Sequence, residues 1–128
     1  GLGIPALQGR DLIDDGGKYG RMIGLKHSEA TRTNVGLAEY SGEDSVVQLS
    51  FSTTLLEGFH LGTLTRTVPA DSHIQLVKVF EKLPDLEGLN LNGLKVEITV
   101  KSGGSVYAYA TVIDNASGDP TTFMAAIN

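Results

Sequence analysis

The sequence predicts an all-β protein. The expected architecture is one antiparallel β-sandwich, immunoglobulin-like or jelly-roll-like, of about seven or eight strands, with at most one short helix near 77–83. Three observations predict it. Apolar and polar residues alternate with a period of two, most regularly over 45–54 and 94–101. Glycine supplies 16 of the 128 residues and is spread between these runs, which suits many tight turns rather than one linker. No stretch carries the spacing of several amphipathic helices, so a βαβ plan lacks its crossovers.

Residues 1–20 read as an N-terminal arm or edge strand, and 21–128 as a single β-sandwich domain. Leu2, Ile4 and Leu7 make the arm apolar, while Pro5 keeps it out of a central sheet position. It is expected either to lie across the core as a strap or to pair with another copy of the chain. Strand-like runs follow at Arg21 to Leu25 and Thr33 to Ala38. From Ser45 to Thr54, Val47, Leu49 and Phe51 share one face and Gln48, Ser50 and Ser52 the other, the pattern of a half-buried strand. Leu61 to Val68 stops at Pro69, and Ser72 to Leu76 is a weaker run. Val77 to Leu83 offers one or two helical turns, or a strand running into a loop, before Pro84 ends it. Leu94, Val96, Ile98 and Val100 alternate with Lys95, Glu97, Thr99 and Lys101. After Gly103 and Gly104 the chain returns as Val106 to Ile113, which predicts a β-hairpin. A turn over 115–120 leads to a last strand, Thr121 to Ile127.

Composition narrows the function. Apolar residues are 41% and charged residues 20% of the chain, as in ordinary globular domains. The formal charge of −5, with Lys and Arg scattered singly, argues against nucleic-acid binding, which needs a basic face. No apolar run is long enough to span a membrane. Cysteine is absent, so thiolate nucleophiles, thiolate zinc sites and disulfides are excluded. The chain opens at Gly1 without a signal-peptide pattern and reads as a processed chain or an excised domain.

Little points to catalysis. His27, His60 and His73 lie far apart and match no metal-binding spacing, and no nucleophile elbow or phosphate loop is present. An enzyme would need a site assembled from these histidines by folding. The oxygen-rich stretch holding Asp114, Asn115, Ser117 and Asp119 suits a side-chain-capped turn, with calcium as the competing reading. No other cofactor is expected. On a strand, Tyr107 and Tyr109 share a face with Thr111, opposite Ala108 and Ala110. Either that face is covered, or the tyrosines point outward with hydroxyls available for protein or glycan contacts.

Two stretches carry a resemblance. Arg32 to Leu37 matches R-S/T-N-L/V-G-L/V, and Val106 to Thr121 matches V-x-A-Y-A/G-S/T-V-V/I-D-N-x-S/T-G-D-P-T/S. In this order they resemble a β-sandwich module of bacterial secreted and cell-surface proteins, over roughly residues 20–125. Ala38-Glu39 and Met124-Ala125 depart from the pattern, which often has an apolar residue and Asn at the first place and Ile-Pro at the second. The resemblance implies an extracellular or cell-surface, non-catalytic accessory domain of poorly defined role. With the tyrosine face, the expected function is a module mediating protein–protein or protein–glycan contacts around Tyr107 and Tyr109. The alternative is a structural subunit of a homo-oligomeric or filamentous assembly that uses residues 1–8 as an added strand. Within the matched stretches, Asn34 and Gly36 are expected at a bulge or close strand approach, and Arg32 is expected to pair with Asp114 or Asp119.

Overall fold

The computed structural model describes residues 12–54, 59–83, 86 and 89–127. Among them are nine β-strands: β1 Tyr19–His27, β2 Thr31–Glu39, β3 Ser45–Thr53, β4 His60–Val68, β5 His73–Leu76, β6 Leu91–Ser102, β7 Val106–Asp114, β8 Pro120–Met124 and β9 Ala126–Ile127. They form a five-stranded sheet, β4-β3-β6-β1-β9, and a four-stranded sheet, β5-β2-β7-β8. All pairings are antiparallel. The chain is therefore an all-β sandwich. The expected last strand is divided between the sheets, β8 in one and β9 in the other, so the chain crosses layers at Ala125. The expected helix near 77–83 is a single 3₁₀ turn, Val79–Lys82. Among the described residues no helix is long and apolar enough to cross a membrane.

The period-two segments supply the core. Val47, Leu49 and Phe51 of β3 and Leu94, Val96 and Ile98 of β6 face inward from the first sheet. Val35 and Leu37 of β2 meet them from the second, with Val106, Ala108 and Ala110 of β7. Phe80 of the 3₁₀ turn closes one end of the interior, edge-on to Phe51 at 5.3 Å between centroids. Ile13, the described part of the expected arm that enters the core, exchanges backbone hydrogen bonds of 2.8 Å with Val106. Leu2, Ile4 and Leu7, the expected assembly arm, lie outside the described residues.

The hairpin expected over residues 94–113 is not one. β6 pairs with β1 and β3, whereas β7 pairs with β2 and β8, so the connection crosses from one sheet to the other. β1 and β2 form a second such arch. The two arches interlock, β1 against β6 and β2 against β7. Gly103 (φ +93°) makes the crossing, and a Cβ there would overlap the Asp44 carbonyl. A period of two shows that a strand has an apolar face, but not which layer the strand joins.

The edge strand β4 holds a charged residue at one of its inward-facing register positions, since Arg66 lies opposite Val47. Its guanidinium donates to the Thr65 carbonyl at 2.8 Å. An inward charge on an edge strand hinders pairing with another chain.

Candidate functional site

The two motif stretches, about 70 residues apart in sequence, are neighbouring strands. β2 and β7 pair without a register shift: Arg32 opposite Ile113, Asn34 opposite Thr111, Gly36 opposite Tyr109 and Ala38 opposite Tyr107. The expected bulge is absent, whereas the expected close approach is present at Gly36. The Tyr109 ring lies on Gly36 so closely that an added Cβ would come within 3.0 Å of several ring atoms.

Tyr107 and Tyr109 face away from the inter-sheet core, as their alternation requires. They are nevertheless covered, with exposures of 4% and 6%. The Tyr109 hydroxyl is 2.8 Å from His73 Nε2, and the two rings stack with centroids 5.7 Å apart. Burial raises the Tyr109 pKa. The Tyr107 hydroxyl donates to the Met124 sulfur. The pair suggested as an open platform is thus a closed one, packed over the small residues Gly36 and Ala38.

The turn after β7 uses its own oxygens. Asp114 Oδ1 accepts from the N–H groups of Ala116 (2.8 Å) and Ser117 (3.2 Å), and Ser117 Oγ accepts from Asp119 N–H (3.1 Å). The Asn115 side-chain amide donates to the Glu29 carbonyl. Turn chemistry accounts for these groups, and no cluster of metal-ligating side chains occurs among the described residues. Arg32 pairs with neither Asp114 nor Asp119. Its guanidinium donates instead to Asn115 Oδ1 at 3.1 Å, since the Asp114 carboxylate is turned into its own loop. The histidines do not converge. His27 bonds the Leu86 carbonyl, His60 lies 3.3 Å from Thr63 Oγ1, and His73 is held by Tyr109.

Two features escaped the sequence. The first is Glu39, a carboxylate only 3% exposed at one end of the sandwich. It accepts hydrogen bonds from the backbone N–H groups of Ser41, Gly42, Glu43, Asp71 and Ser105 and from the Ser41 hydroxyl, at 2.7–3.2 Å. It so ties together the β2–β3, β4–β5 and β6–β7 connections. Burial pushes this carboxyl up, but the Ser41 hydroxyl and the N–H groups of Ser41, Asp71 and Gly42 outweigh it and lower the pKa from 4.5 to about 2. Its donors come from loops distant in sequence; the only local hint was the Ser41-Gly42 pair that follows it.

The second feature lies at the opposite end. A shallow cleft, open to solvent, is lined by Lys26, His27, Ser28, Thr31, Arg32, Thr33, Lys78, Phe80 and Glu81. Three cations and three hydroxyl residues meet there with a single carboxylate. Lys78 adopts the left-handed conformation (φ 51°), and its N–H donates to Asn34 Oδ1 at 2.9 Å. No periodicity or spacing signals this assembly, because β1, β2 and the segment after β5 each supply part of it.

No family model matches the chain, and no curated protein matches it in sequence. The crystal structure of Thermotoga maritima 1070 is similar to it, with a TM-score of 0.58 at 10% sequence identity, over 86% of this chain and 90% of that one. At that identity the likeness concerns the fold alone.

Proposed function

We propose that this chain is a non-catalytic contact module of bacterial secreted or cell-surface proteins, and that it engages a glycan. The cleft between the β1–β2 turn and the 3₁₀ segment carries the reading. It gathers charged and hydroxyl side chains at an open surface. The scattered histidines and the self-satisfied Asp114–Asp119 turn favour binding over chemistry. The paired motif strands support the bacterial surface context through their resemblance to that module family. The test immobilises neutral and acidic bacterial polysaccharides and follows the 128-residue chain by biolayer interferometry, with chromatography of the supernatant. Reversible retention without released product is expected. Shortened oligosaccharides in the supernatant, or no retention on any polysaccharide, would overturn the reading.

A further inference from the structure

We infer that the cleft is an oxyanion site, and that the module's ligand is an acidic glycan whose carboxylate or sulfate enters between Lys26, Arg32 and Lys78. The inference rests on the contact-module reading. The chain carries 15 acidic and 10 basic residues, so a cation-rich cleft runs against its overall balance. The ion pairs among the described residues use Lys18, Arg21 and Lys95. Lys26, Arg32 and Lys78 have no carboxylate within ion-pair distance among those residues, and Glu81 is the one acidic residue of the lining.

Two of the three residues are anchored by the motif stretches, Arg32 through its side chain and Lys78 through its backbone. Asn115 fixes the Arg32 guanidinium, and Asn34 fixes the left-handed backbone at Lys78. A glycine at 78 would avoid the strain of that conformation, yet the position holds a cation. Arg32, Asn34 and Asn115 add nothing to the apolar core. All three side chains reach this end of the sandwich.

The cleft is shallow and open, with enclosed room for little more than a water molecule, so an anionic group would sit at its mouth against the cations while the rest of the ligand stays outside. Ser28 and Thr31, hydroxyls bonded to each other at 2.9 Å, line the cleft beside the cations and match a polyol better than an apolar peptide side chain.

The test uses the 128-residue chain on immobilised polygalacturonate, chondroitin sulfate, dextran and poly-glutamate. Retention on the two acidic glycans and none on dextran is expected, weakening by about tenfold or more between 50 and 300 mM NaCl. Lys26→Glu/Lys78→Glu abolishes that retention, whereas Lys101→Glu, at the far end of β6, keeps it. Thermal melts confirm that each variant is folded. Equal retention on dextran, or retention unchanged in the double variant, overturns the oxyanion site and leaves the module reading standing. Poly-glutamate bound as tightly as the glycans, or inorganic sulfate competing as well as glycan at equal molarity, overturns the glycan assignment. No retention on any of the glycans overturns the module reading as well.

Discussion

Replacing Gly36 by Ala puts one methyl group beneath the Tyr109 ring. The backbone at Gly36 needs no glycine conformation, so space alone decides the outcome. Three effects compete. Overpacking a filled site costs about 1–3 kcal/mol. Lifting the ring weakens its hydrogen bond and stacking with His73, a further loss of about 0.5–1.5 kcal/mol. Alanine restricts the unfolded chain and returns about 0.4–1 kcal/mol. The net is a destabilisation of about 1–3 kcal/mol, or a Tm lower by about 4–12 °C for a domain of this length. Calorimetry of Gly36→Ala, Tyr109→Ala and the double variant separates the causes. With the ring removed, Gly36→Ala costs nothing or stabilises slightly, so the cycle gives a coupling of about 2 kcal/mol. A single variant that melts at or above the wild type, or an unchanged cost in the Tyr109→Ala background, refutes the close approach as the reason for glycine.

The cradle around Glu39 predicts an acid dependence. Because its folded-state pKa lies below that of the unfolded chain, its contribution is fully present above about pH 4.5 and is lost as pH falls towards about 2. Glu39→Gln turns an amide donor towards N–H donors, destabilises by about 2–3 kcal/mol at neutral pH, and flattens the pH dependence of denaturant midpoints in that window. Arg66→Thr removes the inward charge from the edge strand, and sedimentation at rising concentration should show dimers or larger species absent from the wild type. EDTA or added calcium should leave the melting temperature unchanged, because the Asp114 turn is held by its own N–H groups.

How much was legible depended on whether one strand or several had to be known. Val47, Leu49 and Phe51 show their buried face in their own spacing, as do Leu94, Val96 and Ile98. Partner strands were a different matter. The glycine-rich turn after Ser102 reads alike for a hairpin and for an arch, and the strands that pair with β6 (β1 and β3) and with β7 (β2 and β8) decide between them. The tyrosine face was legible for the same reason as the core, whereas its burial was not. Covering Tyr109 requires a residue without a side chain opposite it, and that residue is 73 positions earlier in the chain. Charge alone made Asp114 or Asp119 the natural partner of Arg32. The amide oxygen of Asn115 takes that place because the local turn claims the Asp114 carboxylate first.

The two ends of the sandwich are built on opposite terms, and this lets the proposed binding be tested apart from stability. At the Glu39 end the buried carboxylate takes donors from three connections, and Gly104, whose N–H bonds Ser45 Oγ at 3.0 Å, leaves no room for a side chain. Such an arrangement holds loops together. At the other end Lys26 and Lys78 are exposed, without ion pairs among the described residues, beside a strained backbone position. Charges left without partners add little to folding, and exposed ones are cheap to replace. Glu39→Gln should therefore lower the melting temperature while leaving glycan retention intact in the folded protein, and Lys26→Glu/Lys78→Glu should do the reverse. If Glu39→Gln lost retention while still folded, or if the lysine variant melted many degrees lower with retention unchanged, the cleft would be a structural feature rather than a binding one.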